Sequence, residues 1–270
     1  MLLRPSGFLF LVLGLLLAPG ARAATPSPAP VPMRAAIATE LEKLSASLEK
    51  TAADLRRWAY TESQVFKDEK GRVKTDVVVR HDPSKPYPEQ YVPLLVNGKP
   101  PTAKDIEKYR KQGERARKRI ENPSSDRRKS LGEVLDLRTA SVVSESEQTI
   151  VFEVPLKKEG NDRFPPEKFQ VLMRLHRTTF ALENIAVRLR GSFRSKLIVK
   201  VKSGEGTLDF AVINPKYPPT LTAISGDASA SVFFISVGGE LELKRTELKH
   251  VKPFDERFEV QIGTLKAIDF

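Results

Sequence analysis

The chain has 270 residues, with 45 Lys and Arg against 34 Asp and Glu, and it contains no cysteine. The missing cysteine excludes disulfide bonds, thiol catalysis and cysteine-ligated zinc, so a buried apolar core has to stabilise the fold. The net charge of +11 favours anionic neighbours such as phospholipid head groups, lipopolysaccharide or acidic polymers.

The N-terminal segment has the three parts of a secretory signal peptide. Arg4 supplies the positive charge, residues 8–18 form an apolar run, and the Ala-Arg-Ala of residues 21–23 places small residues at the cleavage positions. A membrane anchor is the alternative, but a spanning helix needs about 20 apolar residues and this run is shorter. We therefore expect residues 1–23 to be a signal peptide, residues 24–32 a Pro/Ala linker, and residues 33–270 a single exported, soluble domain.

Residues 33–57 are predicted to form an amphipathic helix, because apolar residues recur at steps of three and four. The apolar positions are Ala36, Ile37, Leu41, Leu44, Leu48, Ala52 and Leu55. We expect this stripe to cover the domain's own core, and a partner-binding face is the alternative.

The apolar period then changes to two, which is typical of strands. Residues 58–66 and 72–80 form a predicted hairpin, and residues 91–96 form a third strand that ends at Asn97-Gly98. Thr102 and Asp105 have the spacing of a capping box, which predicts that a helical insert begins there and extends to about residue 136.

The insert is strongly basic. Glu107 and Lys111, and likewise Glu114 and Lys118, are spaced for ion pairs along one helix. A charged helix face is usually a solvated surface, but this one is also a candidate for contact with an anionic surface. The residues proposed for that contact are Lys108, Lys111, Arg115 and Lys118. Tyr109 has no aromatic neighbours of the kind that nucleic-acid surfaces use, so no nucleic-acid partner is expected.

After residue 149 the pattern predicts a series of short strands. They lie at residues 149–155, 169–174, 185–189, 196–202, 208–213, 221–224, 231–242 and 258–262, with turn signals at 160–162, 204–206, 214–215, 226–227 and 238–239. Short strands joined by tight turns indicate a meandering antiparallel sheet, so the fold class is α+β. Residues 231–237 are apolar at nearly every position, so this strand should be covered on both faces, by a helix or by a bound ligand.

The residues offer little support for catalysis. None of the three histidines, His81, His176 and His250, has a second metal ligand at a suitable spacing. The chain has no G-x-S-x-G nucleophile motif and no phosphate-binding loop. We therefore expect no enzyme activity, no cofactor and no metal, and we leave open a hydrolase whose carboxylate site the pattern does not reveal.

In element order the chain resembles the periplasmic lipoprotein-carrier (LolA-like) superfamily. The corresponding pieces are the signal peptide that ends at Ala23, the helix of residues 33–57, the strand pair at 58–66 and 72–80, the helical segment at 102–136 and the strands from residue 149 onward. The resemblance implies an antiparallel sheet curved into a half-barrel, with the N-terminal helix and the helical insert packed on its concave face. It also implies a periplasmic carrier.

Together these observations predict a non-catalytic, monomeric binding protein for a hydrophobic ligand, such as lipid or lipoprotein acyl chains. Burial in a trough would stabilise the bound ligand by about 25 cal/mol per Å² of apolar surface. The candidate lining residues are Trp58, Tyr60, Val77, Val79, Phe233 and Ile235. The alternative is a structural or sensing envelope module that binds another protein through its sheet edge or its basic insert.

Overall fold

The computed structural model describes residues 34–121, 131–158, 165–195, 199–232 and 235–257. The expected signal peptide and linker, the predicted turn at 160–162, the predicted strand at 258–262 and residues 122–130 of the insert lie outside this range. The expected α+β class is confirmed, because the described residues form a large antiparallel sheet with two long helices. No helix among them combines the length and apolar character needed to cross a bilayer.

The described helices are α1 (Ala38–Asp54), α2 (Ala103–Glu121) and the one-turn α3 (Leu131–Val134). The strands are β1 (Arg34–Ala35), β2 (Trp58–Asp68), β3 (Val73–His81), β4 (Tyr91–Val96), β5 (Ser141–Glu145), β6 (Thr149–Glu153), β7 (Phe169–His176), β8 (Leu182–Leu189), β9 (Phe193–Ser195), β10 (Val199–Ala211), β11 (Thr220–Val232) and β12 (Ile235–His250). Their order is β1-β5-β6-β7-β8-β10-β11-β12-β2-β3-β4, with β9 paired to β10. The sheet is open, since β1 and β4 end this order.

One row of directly opposed residues crosses the sheet and defines its inner face. From β5 to β4 the row is Val142, Phe152, Met173, Ile185, Leu208, Ile224, Leu243, Gln64, Val77 and Val96. Opposed residues share a face because successive side chains of a strand point to opposite sides. Leu44 of α1 and Tyr109 of α2 both pack in clusters that contain members of this row. Both long helices therefore cover the same face, as expected for a half-barrel.

Helix α1 packs on the main core, to which strands β5 to β8 and β10 to β12 contribute residues. Leu44 and Leu48 are buried in the main core, and Leu41 and Leu55 pack against it. The prediction that this stripe covers the domain's own core is therefore confirmed. Ile37 and Ala52 depart from the predicted stripe, because both are exposed, Ile37 by 58%.

Helix α1 begins later than predicted, because Arg34–Ala35 pair with β5 as strand β1. Glu40 closes the start of the helix by accepting a hydrogen bond from the backbone N–H of Ile37, at 3.1 Å. The guanidinium of Arg34 donates to the same carboxylate at 2.8 Å and holds the pKa of Glu40 below its ordinary value. The first turn of α1 is thus joined to the edge of the sheet.

Helix α2 begins at the predicted capping box. The backbone N–H of Asp105 donates to Thr102 Oγ1 at 3.3 Å, and the N–H of Thr102 donates to Asp105 Oδ2 at 3.0 Å. Tyr109 anchors the helix against Val77 and Val79 of β3. At Gly113 an added Cβ would lie 1.7 Å from the carbonyl oxygen of Tyr87, so α2 approaches the backbone of the 3-10 turn Tyr87–Glu89 very closely.

Three of the predicted turns are wrong, because their glycines lie inside strands β10, β11 and β12. Gly206 is opposed to Gly226, and Gly239 is opposed to Ala228, so small residues form a band across the three longest strands. An added Cβ at Gly239 would lie 2.0 Å from the carbonyl oxygen of Lys67. These glycines do not reverse the chain, and Gly239 allows close backbone approach within the sheet.

The apolar run at residues 231–237 is not the single strand that the sequence predicts. Strand β11 ends at Val232 and β12 begins at Ile235, and these two residues are opposed in an antiparallel pair. The described residues of the run therefore belong to two paired strands. Strand β5 is absent from the prediction, because two adjacent valines between serines give no alternating pattern.

Candidate functional site: a cleft beside a basic helix

The structure places four of the six predicted lining residues under the protein's own side chains. Trp58, Tyr60, Val77 and Val79 are 2%, 9%, 4% and 5% exposed. Phe233 lies outside the described residues, and Ile235 is placed in β12 without a described side chain. A ligand-filled trough at these positions therefore stays a prediction.

Trp58 belongs to a hydrogen-bonded cluster at the end of α1. Its indole Nε1 donates to Asp54 Oδ2 at 2.8 Å, and His250 Nε2 lies 2.9 Å from Asp54 Oδ1. The His250 ring stacks on Tyr217 with 3.6 Å between centroids. Sequence reasoning gave His250 no partner because Asp54 is 196 residues away in the chain. The cluster ties α1 to β2 and β12.

A polar band interrupts the apolar inner face on β2 and β12. Arg245 Nε donates to Glu62 Oε2 at 2.8 Å, and the guanidinium lies 3.9 Å from the centroid of the Tyr60 ring. The Arg245 and Glu62 side chains are 15% and 12% exposed. Such a pair loses much of its hydration when an apolar ligand covers it, which is unfavourable. This part of the inner face is therefore poorly suited to acyl chains.

His81 lies beside this band with its ring between two tyrosines. The centroids of Tyr60 and Tyr91 are 4.9 and 4.6 Å from that of His81. Burial lowers the pKa of His81 to about 4, and the positive charge of Arg245 adds to this effect. The imidazole is therefore neutral at pH 7 and packs as an aromatic side chain.

A cleft of about 540 Å³ opens at the outer end of the sheet, between β4, the loop of residues 82–90 and α2. It is lined by Arg80, Asp82, Lys85, Pro88, Glu89, Gln90, Tyr91, Val92, Pro93, Ile106 and Arg110. Its exposed wall is mostly apolar. Val92 and Ile106, on the two facing elements, are 47% and 52% exposed. We refer to this concavity as the edge cleft.

Hydrogen bonds hold the loop wall of the edge cleft in place. Buried Gln90 donates from Nε2 to the carbonyl oxygen of Lys85 at 3.0 Å. The backbone N–H of Phe254 donates to the carbonyl oxygen of Pro83 at 2.8 Å. Burial alone would raise the pKa of Asp82, but hydrogen bonds from Ser84 outweigh it and the pKa is lowered. The wall is therefore formed before any ligand binds.

Three cations lie on the edge cleft. Arg80 Nη1 is 3.5 Å from Glu247 Oε2, and Arg110 Nε donates to Glu107 Oε2 at 2.7 Å. Lys85 is exposed in the loop wall. Arginine and lysine donors next to an apolar wall can hold the negatively charged end of an amphiphile.

The outward side of α2 carries the basic residues that the sequence singled out. Lys108, Lys111, Arg115 and Lys118 are all exposed. Lys108 Nζ lies 5.3 Å from the centroid of the Tyr109 ring. The predicted pair of Glu107 and Lys111 is confirmed at 3.1 Å between Oε1 and Nζ. Glu114 accepts a hydrogen bond from Arg110.

A scan against family models and searches of curated proteins and solved structures give no significant match. The resemblance to lipoprotein carriers therefore remains an expectation from element order. Among the described residues, no group of three or more His, Asp and Glu side chains could hold a metal ion. The edge cleft and the basic helix are the features on which a functional proposal can be built.

Proposed function

We propose that this chain is a non-catalytic binding protein of the periplasm that carries a hydrophobic ligand with an anionic end, such as a fatty acid or a phospholipid. The observation that carries the proposal is the preformed edge cleft, with an apolar wall on β4 and α2 and cations beside it. The volume of about 540 Å³ lies within the range of roughly 300–1,000 Å³ that small-molecule sites occupy.

The proposed ligand follows from the chemistry of the two walls. Val92 and Ile106 present exposed apolar surface, and covering it removes water at about 25 cal/mol per Å². Arg80, Lys85 and Arg110 provide donors for a carboxylate or phosphate end. No group on the ligand has to react, so a binding protein of this kind needs no catalytic residues.

The proposed site differs in place from the trough that the sequence indicated. The inner face near Tyr60 is covered by the Arg245–Glu62 pair, and Val77 and Val79 lie under Tyr109. The edge cleft is open to solvent on one side, so a ligand can enter without moving a helix. Export by the signal peptide and a location in the periplasm are part of the proposal.

Binding of a partner strand at β4 is less well supported. Pro93 lies within β4 and has no backbone N–H to donate. The pairing of β3 with β4 also shifts register between Val78 and Val79. Proline and bulges are features that natural sheets use to prevent pairing at their edges.

Equilibrium binding of a fluorescent long-chain fatty acid tests the proposal. We expect Val92→Asp and Ile106→Asp to weaken binding at least tenfold, because each places a charge on the apolar wall. The matched controls are Val212→Asp and Ile213→Asp, since these residues are 50% and 45% exposed and do not line the edge cleft. If the cleft variants bind the fatty acid as tightly as wild type does, the edge cleft is excluded as the site. The same conclusion follows if the wild-type protein does not bind the fatty acid.

A further inference from the structure

Exposed apolar side chains concentrate at the corner of the molecule formed by β4 and α2. Of the nine large hydrophobic residues that are exposed among the described residues, five lie on these two elements. They are Val92, Leu94, Leu95, Ile106 and Ile120. Val92 and Ile106 line the same cleft. Large apolar side chains grouped in this way mark interaction surfaces more often than scattered ones do.

The same corner holds an excess of positive charge. Residues 80–121 contain 11 Lys and Arg against 6 Asp and Glu, a net charge of +5 within 42 residues. Ion pairs within α2, such as Lys111 with Glu107, are already included in that balance. Exposed pairs of this kind are weak, so they leave the excess charge available to an anionic partner.

The way α2 is anchored keeps its basic residues outward. Tyr109 is buried, and Gly113 lies against the Tyr87 carbonyl, so one narrow stripe of the helix faces the protein. Lys108, Arg115 and Lys118 are exposed. These residues lie on the side of α2 opposite Tyr109 and Gly113, so the face of the helix directed to solvent is basic.

We infer that the corner formed by β4 and α2 docks on an anionic lipid bilayer. The basic residues of α2, which face away from the protein, lie against the head groups. Charge complementarity selects this occupant, because an anionic bilayer presents the negative charge that attracts clustered lysines and arginines. This inference deepens the proposed function and rests on it for its purpose, since docking brings the edge cleft to a source of acyl chains.

Co-sedimentation of the full mature chain with vesicles tests the inference. The probes are vesicles of neutral phosphatidylcholine and vesicles with 30% anionic phosphatidylglycerol, about the range in which surface charge acts on basic segments. We expect wild-type protein to bind only the anionic vesicles, and to lose that binding at 0.5 M salt because screening shortens the reach of charge to a few ångströms.

The decisive variant is Lys108→Glu, Arg115→Glu, Lys118→Glu, which should lower partitioning onto anionic vesicles at least tenfold. The matched control is Lys200→Glu, Lys244→Glu, Lys249→Glu, which reverses three exposed lysines on β10 and β12 and should change partitioning less than twofold. If the α2 variant folds poorly by circular dichroism, the glutamine version of the same three positions replaces it. The inference is overturned if the α2 variant and the control variant lose the same amount of vesicle binding. It is also overturned if the α2 variant binds anionic vesicles as well as wild type does.

The fatty-acid assay separates the two proposals. An α2 variant that keeps wild-type affinity for the fatty acid but no longer binds vesicles supports docking as a separate property of this corner. Wild-type protein that binds the fatty acid but does not distinguish anionic from neutral vesicles would exclude docking and leave the edge cleft intact.

Discussion

Asp54 at the end of α1 and His250 at the end of β12 meet side chain to side chain, with Oδ1 and Nε2 2.9 Å apart. The other oxygen of the same carboxylate accepts the indole N–H of Trp58. One residue of the N-terminal helix thereby joins two neighbouring strands of the sheet. The position of α1 over the inner face depends on this contact as well as on apolar packing.

Replacing this carboxylate should loosen α1. In Asp54→Ala both Trp58 and His250 lose their hydrogen-bond partner in a partly buried site. We expect a loss of about 1–3 kcal/mol in the free energy of unfolding. Urea denaturation measures it, and Trp58 fluorescence should shift to longer wavelength because Trp58 is the single tryptophan. Glu42→Gln, at an exposed position of the same helix, is the control and should be neutral.

His81 makes the stability depend on pH. Its pKa is about 4 in the folded protein and about 6.5 when unfolded, so the unfolded chain binds a proton first as pH falls. The contribution of the neutral imidazole is fully present above pH 6.5 and is lost as pH falls towards 4. Over this window the loss should reach about 3 kcal/mol, since one pKa unit corresponds to about 1.4 kcal/mol.

The variant His81→Phe keeps an aromatic ring between Tyr60 and Tyr91 but cannot be protonated. Its urea midpoint should fall less than that of wild type between pH 7 and pH 4.5. Carboxylates that titrate in the same range affect both proteins equally. If the urea midpoints of the two proteins fall by the same amount between pH 7 and pH 4.5, the role given to His81 is contradicted.

Gly113→Ala should destabilise the packing of α2 although alanine is the better helix former. The intrinsic gain is about 1 kcal/mol. The new Cβ, however, would lie 1.7 Å from the Tyr87 carbonyl oxygen, and both partners are backbone. Helix α2 must therefore move away from the turn Tyr87–Glu89, at a typical cost of about 1–3 kcal/mol. Gln112→Ala, at the exposed neighbouring position, should be neutral or slightly stabilising by thermal denaturation.

Gly239 should tolerate substitution far less well than Gly71. Both have positive φ, at 155° and 72°. At Gly71 an added Cβ meets nothing within 4 Å, so alanine there should cost only backbone strain of about 1–2 kcal/mol. At Gly239 the Cβ would also lie 2.0 Å from the Lys67 carbonyl oxygen. If urea denaturation shows a smaller loss in the free energy of unfolding for Gly239→Ala than for Gly71→Ala, the close approach of the strands at Gly239 is contradicted.

Local sequence patterns predict the first half of the described fold well. The hairpin of β2 and β3, strand β4 and the capping box at Thr102 need only contacts between near neighbours, which alternation and spacing record. Glycine misled the prediction later in the chain. Gly206, Gly226 and Gly239 resemble turn residues locally but lie inside strands, and Gly239 packs against β2, which is distant in sequence.

The candidate site could be predicted only in part. The basic residues of α2 stand out in the sequence, and the structure leaves them exposed. The edge cleft could not be predicted, because it exists only where Ile106 of α2 meets Val92 of β4 across a folded loop. The burial of Trp58 by Asp54 and His250 likewise depends on pairing between the two ends of the chain.

Photo-crosslinking with a diazirine-labelled long-chain fatty acid, followed by peptide mapping, tests the central claim most directly. The label should attach within residues 85–93 and 106–110, which form the walls of the edge cleft. Val92→Asp should abolish this labelling, and Val212→Asp should leave it unchanged. Labelling of residues 58–66 on β2 in place of the cleft walls, or no specific labelling, would contradict the claim that the edge cleft holds the ligand.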